Sequence, residues 1–113
     1  MTATISVAPN AEATLDLARR FLDAINTKNA DALVETVSED IVYELHASPM
    51  ISVKGHEGVR AALAGLVATW PDYDFVVNAL YVDANLFTAE WTMTGTLGQN
   101  LPVGNRIAIP DGR

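Results

Sequence analysis

The chain has 113 residues, half of them hydrophobic and 19% charged, and 7 Lys and Arg against 14 Asp and Glu leave a formal charge of -7. That length holds one hydrophobic core rather than two, and so apolar a composition folds instead of staying disordered. The negative field repels phosphate backbones and anionic head groups, which argues against nucleic-acid and membrane partners, and the lack of Cys removes disulfides, thiolate metal sites and a Cys nucleophile.

Residues 1–10 carry neither the basic start nor the apolar run of a secretory signal, and no window approaches the roughly 20 apolar residues of a membrane span. They are predicted to be a flexible arm ahead of one domain over 11–113. With no address in the chain, a cytoplasmic location is expected. Asn10 is predicted to cap a long amphipathic helix, with Glu12 in its first turn and Leu15, Ala18, Phe21, Leu22 and Ile25 at helical spacing. Asn29 then caps a short second helix whose apolar stripe is Leu33, Val34 and Val37.

The β-branched and aromatic run over 41–46 reads as a strand closed by Ser48-Pro49. Gly55-His56-Glu57 opens a third helix with Val59, Leu63, Leu66, Val67 and Trp70 in line, stopped by Pro71. His56 is expected to cap that helix. Residues 73–82 and 86–97 read as two strands joined by the polar turn Asp83-Ala-Asn85, hence a hairpin. Residues 98–104 read as a loop and 105–109 as the start of a further strand. Helices early and antiparallel strands late make the class α+β, and a curved sheet covered by helices leaves room for an enclosed apolar gap where small molecules bind.

Five segments taken together resemble a known family: Arg19-Arg-Phe-Leu-Asp-Ala-Ile-Asn26, Ser38-Glu-Asp-Ile-Val-Tyr-Glu44, Lys54-Gly-His-Glu-Gly-Val-Arg60, Trp70-Pro-Asp72 and Trp91-Thr-Met-Thr-Gly-Thr96. In spacing and order they are similar to the SnoaL-like branch of the nuclear transport factor 2-like superfamily over roughly residues 12 to 110. The resemblance implies three N-terminal helices on a curved, mainly antiparallel sheet that forms a cone with an apolar pocket. It also implies a homodimer built on the exposed sheet face, and a small apolar, oxygenated ligand handled without cofactor or metal. Against this family's usual length the chain looks short of one or more C-terminal strands.

Fold alone does not choose among ketosteroid isomerases, limonene-epoxide hydrolases, polyketide cyclases and non-catalytic binding domains. The resemblance places Phe21 and Leu45 where ketosteroid isomerases carry a Tyr and an Asp, which argues against that activity. Of the hydrolase set only Tyr43 matches, since Leu45, Glu90 and Thr92 stand in place of Asn, Arg and Asp. The cyclase His is replaced by Leu97 after Gly95-Thr96, and Asp111, in the turn sequence Pro110-Asp-Gly, is a poor substitute for the cyclase Asp.

Two functional readings follow. In the first, the chain is a cofactor-free isomerase, cyclase or hydrolase with Glu90 as proton carrier and Tyr43 as donor. Substrate would then be lined by Phe21, Leu45, Trp70, Trp91 and Thr92. In the second, it is a ligand-binding or dimerisation module without chemistry. Glu90 shares a strand face with Thr88, Thr92 and Thr94, opposite Phe87, Ala89, Trp91 and Met93. In the family's register it points inward; a slip of one residue puts it in water. Glu44 and His46 share a face two residues apart, with no third ligand nearby to complete a metal site. Asp72 is expected to satisfy backbone donors in the turn before the next strand.

Overall fold

The computed structural model describes residues 3–46, 51–98, 101–103 and 106–108. In chain order these form β1 (Thr4–Val7), α1 (Glu12–Asn26), α2 (Ala30–Glu35), β2 (Val42–Leu45) and β3 (Ile51–Lys54). They continue with α3 (Gly55–Thr69), β4 (Asp74–Val82), β5 (Phe87–Thr94), β6 (Leu101–Val103) and β7 (Arg106–Ala108). The class is α+β, with three helices. The main sheet runs β1-β4-β5, and β2-β3 and β6-β7 are separate two-stranded pairs. The sheet is mixed, because β1 lies parallel to β4 while β4 and β5 form an antiparallel hairpin. Ser48-Pro49, expected to close the first strand, and the Pro110-Asp111-Gly112 turn lie outside the described residues, as do Asn105 and Ile109 of the expected last strand.

The N-terminal segment differs from expectation. Thr4-Ile-Ser-Val alternates polar and β-branched residues, a pattern suited to a pleated strand, and it pairs residue for residue with Ala79 to Val82. A loose arm was the wrong expectation there. The chain must then turn sharply into α1, and Asn10 takes the left-handed conformation at φ 62, which an asparagine tolerates better than most residues. Asn10 therefore turns the chain rather than capping the helix. Ala11 holds the cap position without a side-chain bond, and Thr14 instead ties the first turn to the Ala84 carbonyl at 2.6 Å. Asn29 does cap α2, its Oδ1 accepting from the Ala32 amide at 3.1 Å.

His56 is also placed differently. The cap of α3 is Lys54, without a side-chain bond, while His56 Nε2 lies 2.9 Å from the Val37 carbonyl and so donates to it. The imidazole fastens the start of α3 to the end of α2 instead of closing its own helix. Gly55, at φ 72, makes the strand-to-helix corner where a side chain would be strained.

Two clusters of buried side chains form the interior. One joins Ala18 and Leu22 of α1 to Phe75, Leu80 and Val82 of β4, with Phe87, Ala89 and Met93 of β5 packed against it. The other joins Ala24, Leu33 and Val34 to Val59 and Leu63 of α3, with Tyr43 at its margin. Phe21, Ile25, Leu66 and Val67 touch both clusters and weld them together.

The face that β4 turns inward changes phase partway along. Phe75 and Val77 pair with Met93 and Trp91, then the register shifts, and Leu80 and Val82 pair with Ala89 and Phe87. Asn78 is the extra residue of a β-bulge, which moves the inward face from odd to even positions and bends the strand. Its side chain donates to Thr92 Oγ1 at 2.8 Å on the outer face.

The turn before β4 is held as the sequence suggests, with Asp72 Oδ1 accepting from the Thr96 amide at 2.7 Å. That backbone bond holds the Asp72 carboxyl below its ordinary pKa, with the Thr96 side chain assisting. A depressed folded-state value means the contribution to stability is complete above the unfolded-state pKa and fades as pH falls through the folded-state one. Asp72→Asn is accordingly expected to lose stability at neutral pH and to show a flatter acid limb below about pH 4. Urea unfolding from pH 7 down to pH 2 reads both effects, and parallel curves for variant and parent would contradict the assignment.

Candidate functional site

The helix-facing side of the sheet carries one open hollow beside β1, and a second, of about 310 Å3, is lined by Val7, Tyr81, Leu86 and Thr88 among others. An open cleft of about 260 Å3 runs between β1, α1 and β4. Its floor is apolar, made by Ile5 of β1, Leu22 of α1 and Phe75, Val77 and Leu80 of β4. Its rim is polar and comes from one stripe of α1: Arg19, Asp23 and Asn26. Those three recur at i, i+4 and i+7 and therefore share a helix face. The size falls under the roughly 300–1,000 Å3 typical of small-molecule sites.

The positions of its walls follow from three bonds between the end of α1 and the start of β4. The Tyr73 hydroxyl donates to the Ile25 carbonyl, the Phe75 amide donates to Asn26 Oδ1 at 3.2 Å, and Lys28 Nζ donates to the Tyr73 carbonyl at 3.1 Å. Lys28 also lies 4.4 Å from the centroid of the Tyr73 ring, a cation–π geometry. Tyr73 itself is buried, which pushes its phenol pKa up and keeps the hydroxyl a donor.

None of the residues expected from the sequence to act on a ligand lines this cleft. Glu90 is exposed on the face of β5 that points away from the helices, level with exposed Thr88, Thr92 and Thr94. Of the two orientations left open for it the outward one is found, because Phe87, Ala89 and Met93 take the core side and strict alternation sends Glu90 out. Thr92 stands on that same outer face, occupied by Asn78. Trp91 faces inward and rests on Phe75 with ring centroids 4.9 Å apart, yet it remains 48% exposed. Phe75 is thus shared between the cleft floor and this aromatic contact.

Phe21 meets Phe87 edge-on at 6.0 Å between the two clusters, and Trp70 packs at the margin of the first as the C-terminal cap of α3. Tyr43 is half-buried beside the second cluster, where loss of solvent pushes its phenol pKa up. Leu45, cross-strand from Ile51, is exposed at the far end of the β2-β3 pair. Glu44 and His46 approach to 3.8 Å in the open, and among the described residues no group of three or more His, Cys, Asp or Glu could hold a metal ion. No described helix is long and apolar enough to cross a membrane. The polar stripe Arg19, Asp23 and Asn26 is the part that sequence reasoning passed over. Its i, i+4, i+7 spacing was the available signal, but only the parallel pairing of β1 with β4 makes it one wall of a cleft.

Comparison with solved structures finds the same fold. A proposed ketosteroid isomerase from Kribbella flavida superposes with a TM-score of 0.66 at 22% identity, covering 80% of this chain and 63% of that one. A proposed aromatic ring hydroxylase from Novosphingobium aromaticivorans gives 0.64 at 20% identity, covering 78% and 66%. A proposed polyketide cyclase from Bacillus cereus gives 0.68 at 21%, covering 88% and 69%. This chain therefore spans just under two thirds of the length of the first two. At such identities the likeness speaks to fold and not to reaction. No curated protein sequence matches the chain. Residues 18–113 match the SnoaL-like domain, and the chain belongs to that family.

Proposed function

We propose that this protein binds a small, largely apolar, oxygenated molecule between α1 and the helix-facing side of the sheet, in the cone-and-pocket manner its family resemblance suggests. The observation that carries the reading is the joining of an apolar floor to a polar rim in one cleft. Leu22, Phe75, Val77 and Leu80 supply a surface that gains from losing water, at about 25 cal/mol per Å2 of apolar area covered, and Arg19, Asp23 and Asn26 supply polar partners at one side. Trp91, half exposed and stacked on Phe75, extends the aromatic surface beside it.

Binding without chemistry is the reading that geometry favours. Glu90, the proton carrier that the catalytic reading names, is directed away from the cleft, where Asp23 is the carboxylate that lines it. Tyr43 supports the catalytic reading in one respect: its raised pKa keeps it a neutral donor. It sits beside the other core cluster, away from the residues that line the cleft.

A panel of apolar ketones, enones and epoxides tests both readings by thermal melting and by product detection. Saturation near 100 times Kd is expected to stabilise the fold by about 2.7 kcal/mol, raising the melting temperature by on the order of 10 °C. Ile5→Glu places a carboxylate at the cleft floor and is expected to weaken that response tenfold or more, while the unliganded protein melts within a few degrees of the parent. An unchanged response in Ile5→Glu would move the ligand elsewhere. Glu90→Gln is expected to leave binding and any product formation unaltered, and turnover that disappears with this substitution would restore the catalytic reading.

A further inference from the structure

Along α1 two acid–base pairs stand at i, i+4 spacing, and they behave differently. Asp16 precedes Arg20 and pairs with it at 3.7 Å, the orientation that suits the helix dipole. Arg19 precedes Asp23, the weaker order, and among the described residues neither side chain makes an ion pair or a hydrogen bond. Both nevertheless line the cleft, one helical turn apart, beside Leu22, Phe75 and Val77. Asn26 completes the row. Its oxygen is taken by the Phe75 amide, so its NH2 group is the part left to face a ligand.

The row therefore reads donor cation, acceptor anion, donor amide over an apolar floor. A simple carboxylate would satisfy Arg19 but meet Asp23 and the repulsion of a chain carrying a formal charge of -7. A simple amine would satisfy Asp23 and leave Arg19 without a partner. A net-neutral molecule bearing both charged groups on one carbon engages the two together and is not repelled. Resting on the small-molecule reading given above, we infer that the ligand of this cleft is an apolar zwitterion of the α-amino-acid class. Its carboxylate lies on Arg19, its ammonium on Asp23, and its aliphatic or aromatic side chain on Leu22, Phe75 and Val77. The guanidinium can grip the carboxylate through two parallel hydrogen bonds, the geometry for which Arg is better suited than Lys.

The test is titration calorimetry of four probes sharing one phenyl group: L-phenylalanine, 3-phenylpropionate, 2-phenylethylamine and 4-phenyl-2-butanone. L-phenylalanine is expected to bind at least about tenfold more tightly than each of the others, the size of effect that one charge-assisted hydrogen bond provides. Arg19→Gln is expected to weaken L-phenylalanine and 3-phenylpropionate but not the amine, and Asp23→Asn to weaken L-phenylalanine and the amine but not the acid. Both residues are exposed, and thermal melts of the free variants control for folding. Binding of the butanone as tight as that of L-phenylalanine and indifferent to Arg19→Gln would overturn the zwitterion while leaving the binding reading standing. No heat from any of the four would overturn both.

Discussion

The seating of α1 on β4 is the constraint from which the rest of the structure follows. Hydrophobic burial alone brings Ala18 and Leu22 against Phe75 and Leu80, but burial is non-directional and would accept many offsets of a helix on a sheet. The offset is set where the helix ends. Lys28, at φ 59, closes α1 in a left-handed conformation usual for Gly or Asn and unfavourable for a lysine. Its ammonium is held by the Tyr73 carbonyl and ring, which offsets that strain. With the Tyr73 and Asn26 bonds this makes a three-point attachment, and net values of about 0.5–1.5 kcal/mol for each hydrogen bond are enough to select one arrangement.

Once α1 is fixed, the cleft is a geometric consequence. The apolar side of the helix turns toward β4, and the adjoining polar stripe is carried over the edge where β1 pairs with β4. Because β1 is a short strand, the interval between it and the helix is not filled. The bulge at Asn78 adds to this by keeping both Val77 and Leu80 on the inner face, a combination that strict alternation forbids. Family membership and the solved neighbours give the chain a known fold. They do not assign the chemistry, since likeness at 22% and 21% identity speaks to fold alone.

The long helices α1 and α3 and the β4-β5 hairpin were legible because their apolar residues repeat at 3.6 or 2 over eight or more positions, α2 because Asn29 caps it, and the polar turn between the strands is unambiguous. The class and the family resemblance came with them, whereas β1, β3 and β6, the last inside a stretch read as a loop, did not. What escaped was set by contacts between distant segments. Thr4–Val7 is too short to declare itself without its partner β4, and β3 is four residues adjoining a helix with no turn between them. The bulge leaves only a faint trace, the change of apolar parity after Val77. The face of β5 was a choice between two patterns, and it was decided by the bulk of Phe87, Ala89 and Met93 against the Thr-rich side. That decision removed Glu90 and Thr92 from the interior. The cleft could not be seen from the chain at all, because its β4 floor lies far along the chain from β1 and α1 and meets them only in the fold.

Methyl NMR with the tightest of the phenyl probes bound tests the account most directly. Intermolecular Overhauser contacts from the ligand to the methyl groups of Ile5, Leu22 and Val77 together are the result expected, since only the cleft brings β1, α1 and β4 to one ligand. Contacts confined to Leu45, Val53 and the ring of Tyr43 would contradict it and move the binding site to the β2-β3 pair.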